Sequence, residues 1–462
     1  MSVVGAIMVP HPPLLLPEVG RGGEKEIAET SRCYEEAAAF VRDCRPETIV
    51  LTSPHAILYS DYFHISPGRH AEGNMGRFGA PQVRFSVDYD EAFVKALSEL
   101  AEKESFPAGT YGDRMRELDH GTMVPLYFLN QQYKDYRLVR IGLSGESLLD
   151  HYRLGRMIRR IAEKLDRRVV HIASGDLSHK LQKDGPYGFI KEGPVYDERI
   201  MDVMGRAAFE ELLDFPESLL DKAAECGHRS FVIMAGALDG FAVETRKLHH
   251  ESKTGVGYGI CTYRVTGEDA GRCFYEKRTA AKRVALEEAR RMEDAYVALA
   301  RKSLTAYITR KEVIDVPGDV PEEMKNTRAG AFVSLHKDGK LRGCIGTILP
   351  IQDNLAEEII GNAISASTRD NRFFPVRPDE IPYLEISVDV LSEPEPIASE
   401  AELDTKRYGV IVTKGRKRGL LLPNLEGIDR IEDQVRIAKQ KAGIDPEDTD
   451  VSLERFEVVR HE

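Results

Sequence analysis

The chain of 462 residues lacks tryptophan altogether and contains only six cysteines. The cysteines lie at positions 33, 44, 226, 261, 273 and 344, and no two of them form a C-x-x-C pair. In a chain of this length, scattered cysteines argue against a disulfide framework and against a four-thiolate zinc site. We therefore expect reduced thiols.

Long apolar runs and an excess of positive charge are also missing. No apolar segment approaches the ~20 residues that cross a bilayer, which excludes a membrane-spanning protein. The first ten residues lack the basic start and apolar stretch of a secretory signal, so we expect a cytoplasmic protein. The formal net charge is −12, from 64 basic and 76 acidic residues. That balance repels phosphate backbones and argues against nucleic acid as the partner.

Hydrophobic residues make up 42 % of the chain, enough for two or three packed domains. In the first ~265 residues, short Val- and Ile-rich runs alternate with amphipathic patterns, which predicts an α/β fold with a central sheet flanked by helices. The predicted strands are Val3–Val9, Thr48–Thr52, Leu138–Ile141, Val169–Ala173 and Gly257–Val265. The predicted helices are Glu24–Arg42, Glu91–Glu104, Ser147–Leu165 and the buried pattern Arg229–Phe241.

The polarity and charge pattern of the sequence changes after residue 265. A polar stretch at 266–280 precedes a charge-laced helical segment at 281–300, and new strands are predicted at Gly330–Leu335, Leu384–Leu391 and Gly409–Val412. We place the domain boundary near 270–280, which gives a first domain at 1–268 and a smaller α+β domain at 281–462.

Histidines follow three of the predicted strands in the first domain. His11 comes after the first strand, His55 after the second and His179 after the run at 169–173, while His120 opens a helical pattern. The carboxyl ends of strands in an open α/β sheet face one crevice, so we expect these imidazoles to share a site. Imidazoles at such a site suit metal binding or proton transfer near neutral pH.

A third ligand is expected just before the predicted Arg229–Phe241 helix, where two donor types are adjacent. Glu225 would complete a two-histidine, one-carboxylate set, which suits Fe(II) with open positions. Cys226 would give a softer set that favours Cu(I), zinc or a differently tuned iron. The sequence leaves both alternatives open.

Other features of the first domain have simpler interpretations. The glycines at 73–79 lack the ending of a phosphate-binding loop and indicate a flexible loop. The histidines without strand-end positions are expected to be surface or packed residues. These are His64, His70, His151, His171, His249, His250, His336 and His461.

Several motifs make the first 265 residues similar to a known superfamily. The segments M-V-P-H-P-P at 8–13, S-P-H at 53–55, L-D-H-G at 118–121 and S-G-D-L-S-H at 174–179 resemble the class III extradiol ring-cleavage dioxygenases of the LigB type. The segment E-C-G-H-R-S at 225–230 instead resembles the Memo branch of that superfamily, in which a cysteine stands where the LigB-type enzymes have a glutamate.

The resemblance implies specific roles. His11 and His55 would be metal ligands, His179 the acid–base residue and His120 a substrate-contacting or supporting histidine, with Cys226 or Glu225 as the third ligand. The implied cofactor is Fe(II), with copper or zinc as alternatives, and the implied substrate is a small molecule such as a catechol.

The second domain resembles the Ammecr-like family. The evidence is L-R-G-C-I-G at 341–346, supported by A-S-T-R-D-N-R-F-F-P-V at 366–376 and R-G-L-L-L-P at 418–423. The order of the two domains resembles the fused protein of the AmmeMemoRadiSam system. That resemblance implies a radical S-adenosylmethionine enzyme as a partner.

Candidate site residues of the second domain lie in these motifs. Gly343 and Gly346 permit a tight turn or a close backbone approach, and Arg342 offers a planar pair of hydrogen-bond donors. Cys344 is a candidate nucleophile, although the only histidine close to it in sequence is His336. The last candidates are Arg369, Asp370 and Arg372. Two interpretations of them stay open: they form one wall of an anion-binding groove, or they form a turn held by ion pairs.

Three functional hypotheses follow from the sequence. The first is an Fe(II)-dependent extradiol-type dioxygenase. The second is a Memo-like metal-binding regulatory or modification-system protein without ring cleavage. The third is a metal-assisted hydrolase, for which the sequence specifies no scissile substrate.

Overall fold

The computed structural model describes residues 2–112, 117–337, 339–425 and 427–462. The chain divides into two compact units, Met1–Thr279 and Ala280–Glu462. Within the described ranges, every helix is too short or too polar to cross a membrane.

Among its described residues, the N-terminal unit contains ten strands, eight helices and the first part of a ninth helix. The strands are β1 Val3–Val9, β2 Thr48–Ser53, β3 Phe63–His64, β4 His70–Met75, β5 Ala80–Asp88, β6 Ala108–Gly109, β7 Arg137–Gly142, β8 Val169–Ser174, β9 Phe241–Glu251 and β10 Tyr258–Glu268. The helices are α1 Pro17–Gly20, α2 Ala28–Cys44, α3 Glu91–Lys103, α4 His120–Leu129, α5 Leu148–Lys164, α6 Glu192–Arg206, α7 Glu217–Ala223, α8 His228–Ala237 and α9 Phe274–Met292.

Six of these strands form one mixed sheet in the order β7-β2-β8-β1-β10-β9. The first four are parallel to one another, β10 pairs antiparallel with β1, and β9 pairs antiparallel with β10. Helices cover both faces of the sheet, so the predicted α/β class is confirmed. Strand β2 illustrates this packing on both faces. Val50 packs into one apolar core with α5 and α8, while Ile49 and Leu51 pack into the other with α2 and α4.

The parallel register brings three strand ends together. Strand β8 lies between β2 and β1, with Thr52 of β2 opposite Ala173 and Val9 of β1 opposite Ser174. The chain therefore leaves β1, β2 and β8 at the same edge of the sheet, as ligand-binding crevices of this fold class require.

A close backbone approach fixes the loop that follows β8. A Cβ atom built on Gly175 would lie 2.1 Å from the Cα of Gly227, so a larger residue at 175 would push the two segments apart. Gly227 immediately precedes α8, and the contact therefore holds the start of α8 against the end of β8.

The C-terminal unit has two four-stranded sheets, ordered β12-β11-β13-β18 and β14-β17-β15-β16. Helices α10 and α12 pack on the first sheet, and α13 packs on the second. The strands are β11 Ala331–Lys337, β12 Lys340–Gly346, β13 Glu385–Leu391, β14 Glu395–Ile397, β15 Gly409–Lys414, β16 Lys417–Leu421, β17 Ser452–Phe456 and β18 Val458–His461. The helices are α10 Ala295–Arg310, α11 Glu322–Asn326, α12 Leu355–Thr368 and α13 Ile431–Ala442.

Short 3-10 helices are also present among the described residues. They span Pro13–Leu15, Gly23–Ile27, Gly76–Phe78, Phe209–Asp214, Ala270–Arg272, Ile381–Tyr383 and Glu400–Glu402.

Three details differ from the sequence-based expectations. The glycine-containing segment at 73–79 belongs to a β-hairpin of β4 and β5, so the flexible-loop interpretation is wrong. The helical segment at 281–300 is divided because the Asp294 side chain accepts hydrogen bonds from two backbone N–H groups at the start of α10. The buried helix α8 ends at Ala237, and Phe241 instead begins β9.

Replacing Gly175 by alanine tests the close approach. The added methyl group has no room beside Gly227, so we expect Gly175→Ala to lower the free energy of unfolding by about 1–3 kcal/mol. Urea unfolding measures this change. Gly267→Ala is the matched control, since a Cβ there meets no atom within 4 Å. Equal stabilities of the two variants would show that the contact is not a constraint.

Candidate metal centre

Three side chains from three separated segments converge at the shared edge of the sheet. The Nε2 atoms of His11 and His55 are 3.0 Å apart, and the Sγ atom of Cys226 is 3.6 Å from Nε2 of His11. The donor atoms of the three residues all lie within 4.8 Å of one another. His11 is buried, Cys226 is partly buried and His55 is exposed, so the cluster opens to solvent on the His55 side.

The tautomer of His11 is set by Ser174, the last residue of β8. The Ser174 hydroxyl donates its proton to the carbonyl of Gly121 at 2.6 Å and lies 2.9 Å from Nδ1 of His11. A hydroxyl has one proton to donate, so it accepts the second bond from an Nδ1–H group. Nε2 of His11 is therefore the nitrogen without a proton, and its lone pair lies on the side of His55 and Cys226, as a metal ligand requires.

The second histidine is held by a network around Asp119. The backbone N–H of His55 donates to Ser53 Oγ at 3.2 Å, and Ser53 donates to Asp119 at 2.6 Å. Asp119 also caps α4 through the Thr122 N–H at 3.0 Å. Because α4 begins at His120, the same network places the His120 ring 4.0 Å from the His55 ring, centroid to centroid.

The structure separates the two candidates for the third donor. Cys226 faces the histidines, and its sulfur accepts a hydrogen bond from the backbone N–H of Asp176 at 3.3 Å. Glu225 points the other way and accepts the backbone N–H of His228 at 2.6 Å, at the start of α8. The chain turns at Ala224, which has a φ of 52°, and successive side chains then diverge. The cluster therefore contains the thiol and not the carboxylate.

A second donor group shares Cys226. Donor atoms of Asp176, His179 and Cys226 lie within 4.8 Å of one another. Asp176 also accepts the backbone N–H of His11 at 2.8 Å, which ties the loop after β8 to the loop after β1. Nδ1 of His179 is buried without a hydrogen-bond partner among the described residues, and its ring meets the exposed ring of Tyr187 edge-on at 5.2 Å.

Burial controls the protonation of the cluster. Burial and the neighbouring His55 hold the pKa of His11 well below its usual value. Partial desolvation of its ring lowers the pKa of His55, and burial together with His55 and His11 lowers the pKa of His120 to about 4. The three imidazoles are therefore neutral near pH 7, the form that binds a metal. Burial raises the pKa of the Cys226 thiol, so the thiol must lose its proton when it binds an ion.

The donor set fits a metal ion. Nitrogen and sulfur atoms bound to one ion at about 2.1 and 2.3 Å lie roughly 3–4 Å from each other. The separations of 3.0 and 3.6 Å found here are of this size. Two neutral imidazoles and one thiol match the donors of zinc, copper and iron sites.

Most of the other histidines are packed or paired. His171 is buried within β8 and lies 3.2 Å from Thr52 Oγ1, and burial lowers its pKa to about 3. His228 is buried 2.9 Å from the Leu212 carbonyl, and its pKa is also lowered to about 3, mainly by burial. His70 is exposed and paired with Asp88 at 2.8 Å.

Comparison with known proteins now identifies the family. A family model described as the catalytic LigB subunit of aromatic ring-opening dioxygenase matches residues 5–261, more than half of the chain. The chain belongs to the LigB family. A second family model, AMMECR1, matches residues 297–461, so the LigB domain is followed by an AMMECR1 domain. Both expected resemblances are confirmed.

Relatives share this architecture or part of it. A protein from Clostridium acetobutylicum is 41 % identical over 469 residues, covering 100 % of this chain and 99 % of its own length. A protein from Thermotoga maritima is 55 % identical over 170 residues, covering 37 % of this chain and 98 % of its own length.

Two solved structures show weaker overall likeness. An uncharacterised protein from Pyrococcus horikoshii is 34 % identical, covers 36 % of this chain and 88 % of its own, and has a TM-score of 0.34. An uncharacterised protein from Escherichia coli K12 is 14 % identical, covers 56 % of this chain and 99 % of its own, and has a TM-score of 0.38.

The L-R-G-C-I-G segment at 341–346 of the AMMECR1 domain lies within strand β12, not in a turn. A Cβ on Gly343 would lie 2.2 Å from the Ala366 carbonyl of α12, and one on Gly346 would lie 2.2 Å from the ring of Phe332. The two glycines therefore permit close approach. Arg342 is occupied structurally, because its guanidinium donates two hydrogen bonds of 3.0 Å to Glu380.

The acidic and basic candidates after α12 are also paired. Asp370 accepts the backbone N–H of Cys344 at 2.9 Å and two hydrogen bonds from the Arg372 guanidinium at 2.9 and 2.7 Å. The bonds from Arg372 hold the pKa of Asp370 at about 2. Arg369 ends α12 and is exposed.

Acid titration tests the Arg342–Glu380 pair. Burial opposes ionisation of Glu380, but the bonds from Arg342 outweigh it. Together with the backbone N–H of Arg377 and the charge of Lys337, they lower the pKa from 4.5 to about 2. A lowered folded-state pKa stabilises the fold above about pH 4.5 and loses that effect as the pH falls towards 2. We expect Glu380→Gln to cost on the order of 3 kcal/mol at pH 7, with the difference from wild type vanishing near pH 2.

Urea-dependent hydrogen exchange of peptides from the AMMECR1 domain measures this difference. Asp379→Asn is the control, because Asp379 is exposed in its pair with Arg377 and should change stability by less than about 1 kcal/mol. A Glu380→Gln deficit that does not change between pH 7 and pH 2 would refute the ion-pair explanation.

Proposed function

We propose that the LigB domain is a non-haem metal oxidoreductase of the extradiol type, with its ion held by His11, His55 and Cys226. The observation that carries the proposal is the fixed His11 tautomer, which leaves the unprotonated Nε2 on the side of the other two donors. Fe(II) bound there would leave open positions at which a catechol and dioxygen are held and activated. Small catechols are the proposed substrates.

The chain's own residues supply proton transfer and orientation beside these positions. His179 is the proposed acid–base residue, since its buried Nδ1 has no hydrogen-bond partner among the residues that the structure describes and one of its ring nitrogens lies within 4.8 Å of the Cys226 sulfur. His120 is the proposed contact to the substrate oxygen. Its low pKa keeps the ring neutral, so it donates a hydrogen bond without adding charge.

The thiol supports a second candidate function. A thiolate is a softer donor than the carboxylate of a two-histidine, one-carboxylate site and favours Cu(I) or zinc. The alternative is therefore a Memo-like metal-binding protein of a modification system, working with a radical S-adenosylmethionine enzyme and without ring cleavage. The six cysteines are all free thiols, which fits the cytoplasmic location proposed for either function.

Metal binding by variants tests the ligand set. We expect Cys226→Ser to lower the affinity for the ion at least about tenfold, because the serine hydroxyl replaces a thiolate donor. Glu225→Gln is the matched control and should retain the ion, since Glu225 only caps α8. Elemental analysis after anaerobic purification and competition with a chelator measure both. Full binding by Cys226→Ser together with loss in Glu225→Gln would reverse the assignment.

Oxygen uptake decides between the two functions. We expect the iron-loaded protein to consume dioxygen with at least one catechol of a substituted panel. His179→Gln should lower the rate about 10²–10⁴-fold while retaining the ion, because it removes the proton-transfer group. His171→Gln is the matched control, since His171 is buried in β8 and its Nε2 bonds to Thr52. An iron-loaded protein that is inert with every catechol would favour the metal-binding alternative.

A further inference from the structure

Two aromatic rings border the histidine cluster of the LigB domain, and the proposed mechanism uses neither of them. The ring of Phe78 meets the ring of His120 at 5.3 Å, centroid to centroid, with 64° between the ring planes. The ring of Tyr187 meets the ring of His179 at 5.2 Å and 84°. His120 contacts His55, and His179 belongs to the donor group that contains the thiol, so the candidate centre links the two aromatic rings.

The position of Phe78 is fixed by the tight turn between β4 and β5. At the end of this turn, the Arg21 guanidinium donates a hydrogen bond to the carbonyl of Gly79 at 2.9 Å. Strand β4 is attached to the segment that precedes α4, because the carbonyl of Glu72 accepts the backbone N–H of Leu118 at 2.8 Å. These bonds hold the ring of Phe78 in place relative to the first residue of α4.

Phe78 lies on the side from which a ligand reaches the candidate centre. The cluster opens to solvent at His55, and His120 packs against His55 with the ring centroids 4.0 Å apart. The side chain of Phe78 is half-buried, since part of it packs against the apolar core around α2 and α4. The remainder is an accessible aromatic surface next to His120, and aromatic rings pack favourably on such a surface. Tyr187 is 59 % exposed and offers a less fixed surface.

We propose that Phe78 determines the specificity of the candidate centre, because its ring packs against the ring of the bound catechol and limits the size of the substituents there. This inference rests on the proposed function, in which His120 contacts an oxygen of the substrate. A ring that carries this oxygen lies within van der Waals reach of Phe78, given the 5.3 Å between the centroids of Phe78 and His120. The site therefore selects catechols with small substituents over catechols with branched ones.

Equilibrium binding to the full-length chain tests the proposal without turnover. The iron-loaded protein is titrated under nitrogen with 4-methylcatechol and with 4-tert-butylcatechol, which differ only in the bulk of one apolar substituent. We expect the wild type to bind 4-methylcatechol at least about tenfold more tightly. Phe78→Ala should reduce this ratio at least about threefold, because removal of the ring opens space for the larger substituent. Isothermal titration calorimetry measures both dissociation constants.

Phe40→Ala is the matched control. Phe40 is also half-buried and packs against the same apolar core, but it lies next to Gly5 near the start of β1, whereas His11 follows the end of that strand. This variant should keep the wild-type ratio. Phe78→Leu retains part of the apolar volume and should give an intermediate ratio, which keeps the test valid if alanine at position 78 impairs folding.

Two results would overturn the proposal. One is a wild-type protein that binds both catechols equally well. The other is a ratio that Phe78→Ala leaves unchanged, including the case in which both catechols bind more weakly by the same factor, since Phe78 would then only support His120.

Failure of the proposed function has a different signature. An iron-loaded protein that binds the two catechols with the expected ratios but consumes no dioxygen would refute ring cleavage and leave the role of Phe78 intact. An iron-loaded protein that binds neither catechol would refute both.

Discussion

The side-by-side parallel pairing of β1, β8 and β2 is the constraint on which the candidate centre depends. Each strand contributes a different component at the shared edge. His11 follows β1, His55 follows β2, and β8 supplies Ser174, whose single hydroxyl proton decides which nitrogen of His11 is free. A shift in this register would separate the donors and also remove the group that orients them.

The loops at that edge of the sheet are held in position by buried contacts between their residues. The approach of Gly175 to Gly227 brings the segment of Cys226 against the end of β8, and Asp176 bonds both to the backbone of His11 and, through its N–H, to the Cys226 sulfur. Supporting bonds of this kind fix the positions of the donor atoms, which is the preorganisation that a metal site needs.

The sequence predicts those parts of the fold whose local residue pattern is compatible with only one kind of secondary structure. Strands buried on both faces, such as Val3–Val9, are continuous apolar runs, and a histidine directly after such a run is expected at the sheet edge. Strand β9 lacks this signal, because its exposed positions carry charged residues such as Glu244 and Arg246. The choice between Glu225 and Cys226 was not predictable, because the two donor types are adjacent and the left-handed conformation of Ala224 just before them has no signal in the sequence.

In the proposed centre, the Cys226 thiol in place of a carboxylate would change the metal preference more than the net charge. Two neutral imidazoles with either one carboxylate or one thiolate give a divalent ion the same net charge of about +1. In the proposed centre, the surrounding groups would therefore meet a similar electrostatic field with either donor. What changes is the softness of one donor and hence the ion that is preferred. A single residue just before α8 can thus alter the metal preference of the proposed centre while the strands of the sheet are retained.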